Sequence, residues 1–214
     1  MHHGSFVSIV GDNGAGKTSL MQMILGLLKP TEGEIYINHK DNDPIDQSYL
    51  HNKSYIPQSF HCYPVSLIEN ITFEKDNPET HLCDRMEKYG SERLIPYRHE
   101  KYGLAYGGLE LSGGQKQRIS IIRGANKKAD VILFDEPTSA IDPMQEGKIY
   151  DNILELIKGK TAIMISHRLA LARYSDRIIV LKQGEIIEKG THHELLREKG
   201  EYYKMWSKQA KLYH

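Results

Sequence analysis

The sequence predicts an α/β protein with a mostly parallel sheet, and three observations support this. Short apolar runs, typical of strands buried on both faces, alternate along the chain with runs of helical character. The first apolar run, from Phe6 to Val10, leads directly into a glycine-rich turn and then a helix-compatible run. Of the 214 residues, 39% are hydrophobic and 26% charged, which excludes a disordered chain. We therefore expect a soluble globular protein with a buried sheet.

The strands are predicted from short apolar or alternating runs that end at turn residues. They fall at 6–10, 35–37, 54–56, 131–134, 161–165, 178–181 and 185–188. Gln183 and Gly184 separate the last two runs, and this spacing is typical of a hairpin.

The helices are predicted mainly from their start signals. A first helix is expected from about residue 17 to residue 28, where Pro30 stops it. Three later helices are expected to start at capping boxes, in which a hydroxyl and the third residue beyond it satisfy each other's backbone amides. These boxes pair Ser66 with Glu69, Ser112 with Gln115, and Thr191 with Glu194. A further helix is predicted after Asp142 and Pro143.

The chain is predicted to contain a core and an inserted subdomain. Residues 59–125 are polar and rich in tyrosine and histidine, and they carry two of the capping boxes. We expect this stretch to be mainly helical. Residues 1–58 and 126–214 are expected to form the α/β core.

The glycine-rich turn matches a phosphate-binding loop. Residues 11–18 read Gly-Asp-Asn-Gly-Ala-Gly-Lys-Thr, with a predicted strand before them and a helix after them. The glycines let successive backbone amides turn toward a phosphate at the positive end of the helix. Lys17 adds a charge for the β- and γ-phosphates, and the Thr18 hydroxyl is suited to Mg²⁺. A glycine-rich turn with a surface lysine is the plainer alternative.

Two carboxylates follow the apolar run at 131–134. Asp135 and Glu136 lie at the carboxyl end of a predicted buried strand, the side of such sheets where ligands bind. Asp135 is suited to hold Mg²⁺, and Glu136 to orient or deprotonate a water molecule. Alone, an acidic pair after a strand is more often a helix cap or a surface turn. The phosphate loop upstream favours the catalytic interpretation.

A second anion-binding surface is predicted in the subdomain. Ser112, Gly113, Gly114 and Gln115 form a hydroxyl-capped, glycine-rich helix start. Taken alone, these residues do not exclude an ordinary capped helix.

The motifs, in this order, resemble those of the nucleotide-binding domain of an ABC transporter. The match rests on the phosphate loop, on Leu-Ser-Gly-Gly-Gln at 111–115, on Asp135 and Glu136, and on Ser-His-Arg-Leu at 166–169. It extends over about residues 4–214. The resemblance implies a P-loop NTPase core that binds and hydrolyses ATP with Mg²⁺.

The resemblance also assigns roles to individual residues. Glu136, His167 and Lys17 would be catalytic, and Mg²⁺ would be held by Thr18, Gln58 and Asp135. Nucleotide contacts would come from Gly11, Asn13, Gly14, Ala15, Gly16, Lys17, Thr18 and Ser19. A second copy, arranged head to tail, would contact the same ATP through Ser112, Gly113, Gly114 and Gln115. Ser139, Ala140, Ile141 and Asp142 would form the D-loop at the dimer interface.

The resemblance leaves several functional hypotheses open. His-Arg-Leu at 167–169 is similar to exporter domains, and residues 205–210 resemble bacterial peptide, bacteriocin or lantibiotic exporters. This implies a transmembrane domain as partner, fused upstream or on another chain, and a place on the cytoplasmic face of the cell membrane. The alternatives are a soluble ABC-type ATPase acting on ribosomes or DNA, and a non-hydrolysing fragment. Only ten residues precede Gly11, and no adenine-stacking residue is assigned.

The composition limits other partners. Lysine plus arginine and aspartate plus glutamate both number 28, so no generic nucleic-acid binding is expected. Cys62 and Cys83 are expected to be reduced thiols. His192, His193 and Glu194 are expected to be a solvent-facing helix start rather than a metal site. Tyr202, Met205, Trp206, Gln209 and Tyr213 recur at helical spacing and are expected to dock on the protein's own core.

Overall fold

The computed structural model describes residues 2–35, 52–73, 80–102 and 110–211, which belong to two compact units. The first unit comprises Met1–Lys53, Ala129–Glu136 and Gly159–His214. The second comprises Ser54–Lys128 and Pro137–Lys158. The boundaries at residues 59 and 125 expected for an inserted subdomain stay a prediction.

The strands of the described residues are β1 (Phe6–Val10), β2 (Lys53–Ile56), β3 (Val131–Asp135), β4 (Thr161–Ile165), β5 (Arg177–Lys182) and β6 (Glu185–Gly190). The helices are α1 (Lys17–Ile24), α2 (Leu67–Thr72), α3 (Thr80–Lys88), α4 (Gly113–Asn126), α5 (Pro143–Leu156), α6 (Leu169–Ala172), α7 (His192–Glu198) and α8 (Glu201–Ala210), with a 3-10 helix at Glu92–Tyr97.

The first unit is built on a mostly parallel sheet with the strand order β3-β4-β1-β5-β6. Strands β3, β4, β1 and β5 run parallel, and all five residues of β1 are buried. Their predominantly apolar sequences fit strands that are covered on both faces. The predicted α/β architecture with a mostly parallel sheet is confirmed.

The hairpin β5–β6 closes one edge of this sheet. Its strands pair antiparallel, and Gln183 and Gly184 turn between them with φ angles of 53° and 84°. Positive φ at both central residues is the geometry of the tight turns that match the twist of a hairpin. The predicted hairpin is confirmed.

The two C-terminal helices pack on the apolar core of the first unit. Leu195 of α7 and Tyr202 of α8 are fully buried in a cluster with Val10, Leu169 and Val180. Met205 and Trp206 pack against the same cluster. The prediction that this face docks on the protein's own core is confirmed for Tyr202, Met205 and Trp206. Tyr213 lies outside the described residues.

All three predicted capping boxes form, at the starts of α2, α4 and α7. Helix α1, however, ends at Ile24, so the predicted end at residue 28 is wrong. Gly26 adopts the left-handed conformation with φ 73°, and the N–H of Leu25 still bonds to the carbonyl of Met21. A glycine in this conformation ends a helix before Pro30 is reached. Of the strand predicted at 35–37, Tyr36 and Ile37 lie outside the described residues.

The second unit is mainly helical around α4. The guanidinium of Arg123 donates to the carbonyl of Asn70 at 2.6 Å and lies 4.1 Å from the ring centre of Phe60. Asn70 is fully buried, and its side chain bonds the backbone at Tyr63 and Ser66. This polar and aromatic packing ties the chain around α2 to α4.

Candidate nucleotide-binding site

Three predicted motifs of the first unit meet at one edge of its sheet. Ile9 of β1 and Asp135 of β3 are both in register with Ile165 of β4, so the three parallel strands end at the same level. The phosphate loop follows β1, Glu136 follows β3, and His167 follows β4. Because neighbouring strands lie about 4.8 Å apart, the groups after β1 and β3 begin roughly 10 Å from each other. This spacing suits a ligand that spans the carboxyl ends of the strands.

The phosphate loop depends on glycine at its first position. Gly11 has a φ of 153°, and a Cβ added there would lie 2.1 Å from the carbonyl oxygen of Leu181. A side chain at residue 11 would therefore collide with the backbone of β5. Gly16 has a φ of 94° and leads into α1.

Lys17 folds back over the loop that precedes it. Its side chain is 7% exposed, and Nζ donates to the carbonyls of Gly11 and Asp12, each at 2.9 Å. An ammonium has three N–H donors. Two of them hold the loop in shape, and the third is available for a phosphate.

The remaining residues of the loop present small or polar groups. Ala15 is buried, donates its N–H to Asp12 and accepts a bond from the N–H of Gly184. The side chains of Asn13, Thr18 and Ser19 are exposed, the last two on the first turn of α1. The backbone amides of this first turn have no partners inside the helix, which makes them donors for an anion.

Thr18 and Asp135 suit Mg²⁺ as the ion that accompanies a nucleotide. The Thr18 hydroxyl is exposed, whereas the Asp135 carboxylate is only 2% exposed and lies at the end of β3. Hydroxyl, carboxylate and phosphate oxygens are the ligands that Mg²⁺ prefers.

Glu136 and His167 form a close pair. One carboxylate oxygen of Glu136 lies 2.7 Å from Nδ1 of His167, and the His167 backbone N–H donates to the same carboxylate at 3.1 and 3.2 Å. Glu136 has a φ of 51°, and its own N–H extends the β3–β4 pairing by bonding to Ile165. The left-handed conformation is uncommon for a residue with a side chain and often marks functional sites. The pair joins the ends of two adjacent strands.

Glu136 raises the pKa of His167 through this hydrogen bond, which outweighs the opposing effect of burial. A raised folded-state pKa means that the charged pair contributes fully to stability below the ordinary value of about 6.5. The contribution is lost as the pH rises through the raised pKa.

A substitution tests this pH dependence. Relative to His167→Gln, the parent protein is expected to lose free energy of unfolding as the pH rises from about 6 to about 8. Urea unfolding of both proteins across this range measures the difference. A difference that stays constant with pH would show that the pair does not form in solution.

The second unit carries the predicted signature residues. The Ser112 hydroxyl accepts the N–H of Gln115 at 3.3 Å, and the Gln115 side chain accepts the N–H of Ser112 at 2.8 Å. Ser112 and Gly113 are exposed at the start of the 14-residue helix α4. The amides of Gly113 and Gly114 therefore stand at the positive end of a long helix.

The predicted D-loop lies beside this helix start. A Cβ added to Gly114 would be 3.2 Å from the carbonyl oxygen of Ala140. Gln117 joins the two segments, because its amide donates to the Ser139 hydroxyl at 3.2 Å and accepts the Ala140 N–H at 2.6 Å. Ile141 is buried and Asp142 exposed.

The structure leaves some predicted roles open and adds two residues. Gln58 is exposed, two residues beyond β2, and belongs to the second unit, so its part in holding Mg²⁺ stays a prediction. No role in the site is predicted from the sequence for Gln117 or Gln209. Gln117 lies in the Lys-Gln-Arg run that directly follows the Leu-Ser-Gly-Gly-Gln residues, and this position is the signal that could have drawn attention to it. Gln209 contacts the chain around His167 from 40 residues away, and no local pattern indicates such a contact.

His192 is not part of a metal cluster in the described part of the chain. Its Nδ1 lies 2.8 Å from the Tyr202 hydroxyl, and its ring packs edge-on against Trp206. Both cysteines are free and partly buried. Within the described ranges, no helix has the length and apolar character needed to span a membrane.

Comparisons with known proteins identify the family of the chain. The ABC transporter family model matches residues 1–139. The subtilin transport ATP-binding protein SpaT of Bacillus subtilis is 36% identical over 96% of this chain and 35% of its own length. The pediocin PA-1 transport/processing ATP-binding protein PedD of Pediococcus acidilactici is 36% identical over 95% of this chain and 29% of its own.

A solved structure is similar over nearly the whole chain. A bacterial Atm1-family ABC exporter with ATP bound superposes with a TM-score of 0.86 at 32% identity, covering 97% of this chain and 37% of that one. The chain thus spans about a third of the length of these relatives. The family match, the relatives and the phosphate loop together show that this chain belongs to the ABC transporter family.

Proposed function

We propose that this chain is the ATP-binding and ATP-hydrolysing domain of an ABC-type exporter. The observation that carries the proposal is the meeting of the phosphate loop, Asp135, Glu136 and His167 at the level where β1, β3 and β4 end. Domains of this family are ATPases coupled to transport and bind ATP with Mg²⁺. The relatives compared above are named for transport, so the alternative of an ATPase acting on ribosomes or DNA gains no support.

The proposed function assigns a separate role to each residue of the site. The loop amides and the free N–H of Lys17 bind the β- and γ-phosphates. Thr18 and Asp135 would hold Mg²⁺, which would neutralise charge on the phosphates. Gln58 stays a further ligand predicted from the sequence alone. Glu136 accepts the proton of the attacking water, and His167 donates to the γ-phosphate. The Glu136 carboxylate is hydrogen-bonded to His167 in this structure. When ATP binds, this hydrogen bond must lengthen, or the carboxylate must also accept a hydrogen bond from the attacking water.

We propose that two copies associate head to tail around ATP. The phosphate loop already offers a cradle for the phosphates, yet the start of α4 offers a second set of helix-start amides at Gly113 and Gly114. A helix end of this kind attracts an anion. The Ser112 to Gln115 segment of one copy would then contact the γ-phosphate bound to the loop of the other. Ser139 to Asp142, packed beside this segment, would line the interface.

We propose a membrane-spanning domain as the second partner. The relatives are about three times as long as the chain, and they are exporters or transport proteins by name. In the second unit, the rings of Tyr63 and Phe73 are 51% and 63% exposed and lie edge to face, 6.1 Å apart. Exposed paired aromatics are typical of contact surfaces. Such a partner would place this domain at the cytoplasmic face of the cell membrane.

Lys17→Ala tests the nucleotide site. The substitution removes the charge nearest the β- and γ-phosphates and also the two bonds that shape the loop. We expect hydrolysis to be lost and ATP binding to weaken by roughly two orders of magnitude, in line with about 3 kcal/mol for lost charged hydrogen bonds. Titration calorimetry with Mg-ATP measures the affinity.

The control is Lys29→Ala, which removes an exposed lysine of the same unit and should leave both properties unchanged. Equal ATP affinity in Lys17→Ala and the control would refute the phosphate loop as the binding site.

A further inference from the structure

Gln209, near the end of α8, forms hydrogen bonds with the backbone of both His167 and Leu169. Its side-chain nitrogen donates to the carbonyl of His167. Its side-chain oxygen accepts the N–H of Leu169 at 2.8 Å. Because a carbonyl needs a donor and an N–H needs an acceptor, only one orientation of the amide satisfies both bonds.

The backbone segment held by Gln209 needs a hydrogen-bond partner from another part of the chain. Leu169 is the first residue of α6, and Arg168 before it supplies no side-chain cap. The first amides of a helix have no partner within the helix. The Leu169 N–H is satisfied by Gln209 from a distant helix. Gln209 thus acts as the cap that the local sequence does not provide.

The helix that carries Gln209 is itself held firmly. The carboxylate of Glu188 accepts the N–H of Glu201 and, at 3.0 Å, the N–H of Tyr202, which fixes the start of α8 to β6. Tyr202 is fully buried in the same apolar cluster as Leu169. The grip of Gln209 is therefore anchored to the core of the first unit.

The bonds to the His167 backbone come from two different parts of the first unit. Its N–H donates to Glu136 at the end of β3, whereas its carbonyl accepts from Gln209 of α8. Ser166 adds a local turn, since its hydroxyl bonds both the N–H and the carbonyl of Arg168 at 2.9 Å. Because these bonds fix the backbone of His167 on both sides, they also define the starting position of its side chain, which is 46% exposed.

We propose that Gln209 is a positioning residue for ATP hydrolysis, which ties the backbone at His167 and Leu169 to α8 and so sets the place of the His167 imidazole. The proposal rests on the proposed function of the chain as an ATPase. Gln209 does not touch the nucleotide in this scheme. It acts only through the backbone that carries His167.

Gln209→Met tests the proposal in the full chain, because methionine keeps the length of the side chain and loses both hydrogen bonds. We expect kcat for ATP to fall roughly 10- to 100-fold, the effect of misplacing a reacting group by about 1 Å. The KM for ATP should stay within about twofold, since the phosphate loop is untouched. In the protein without nucleotide, the Leu169 amide should exchange its hydrogen about tenfold faster or more, while amides of β1 keep their rates.

Lys208→Met is the matched control, an exposed neighbour on the same helix that should change none of these quantities. Gln209→Glu keeps the acceptor for Leu169 but cannot donate to His167, and it should fall between the parent and Gln209→Met in turnover. Gln209→Glu also replaces Gln209→Met as the test variant if the methionine variant does not fold.

The two proposals fail in different ways. A parent protein that does not hydrolyse ATP would refute the proposed function, and the exchange rate of the Leu169 amide would then decide alone whether Gln209 holds this backbone. If the parent hydrolyses ATP and the Gln209 variants match it in kcat, the positioning role is refuted. A rise in KM with kcat unchanged would refute it as well, because it would place Gln209 in nucleotide binding.

Discussion

Replacing Glu136 by glutamine is expected to lower ATP turnover by roughly 10²- to 10⁴-fold while ATP binding is retained. Glutamine keeps the shape of the side chain and an oxygen that can accept the His167 N–H, but it cannot take a proton from water. The fold should tolerate the change, because the backbone bond from the residue 136 N–H to Ile165 does not involve the side chain. Steady-state hydrolysis and calorimetric titration with Mg-ATP measure the two quantities separately.

Glu155→Gln is the matched control for this substitution. Glu155 is an exposed carboxylate that pairs with Lys88 at 3.0 Å, and its loss should leave turnover unchanged. If ATP holds two copies together, the Glu136 variant should accumulate a dimer with ATP, visible by light scattering. Turnover near that of the parent would remove Glu136 from the role of base.

The local parts of the fold could be predicted because their causes are local. The capping boxes at Ser66, Ser112 and Thr191 each involve a hydroxyl and a residue three positions later, so the sequence alone contains all the information. The end of α1 was predicted wrongly because the expected stop, Pro30, lies beyond Gly26, whose left-handed conformation ends the helix first. Two stop signals within a few residues compete, and the glycine takes effect first.

The sequence was sufficient to predict which residues belong to the candidate site, but not the hydrogen bonds between them. The phosphate loop is a contiguous pattern, and Gly11 shows the reason for it, since a side chain there would strike the Leu181 carbonyl. The pairing of Glu136 with His167 depends on the register of β3 and β4. The hydrogen bonds of Gln209 depend on where α8 docks. Such contacts join residues about 30 and 40 positions apart, which no periodicity encodes.

The composite site between two copies predicts that Gly114→Asp abolishes ATP-dependent dimerisation and turnover. The new carboxylate would stand where the γ-phosphate held by the other copy must approach, and like charges about 4 Å apart repel by about 4 kcal/mol at an effective dielectric constant of about 20. The variant should still bind ATP as a monomer, because its own phosphate loop is unchanged. Light scattering with and without Mg-ATP measures the assembly.

The structure makes a steric control essential for this experiment. A Cβ at residue 114 already lies 3.2 Å from the Ala140 carbonyl, so Gly114→Ala measures the cost of the methyl group without the charge. Gly114→Ala should dimerise better than Gly114→Asp. This difference in ATP-dependent dimerisation should become smaller in high salt, because salt screens the repulsion. Mixing Gly114→Asp with Lys17→Ala protein should restore one intact site per mixed dimer and with it part of the turnover. Assembly of Gly114→Asp at the ATP concentration that suffices for the parent would exclude Ser112 to Gln115 from the γ-phosphate of a second copy.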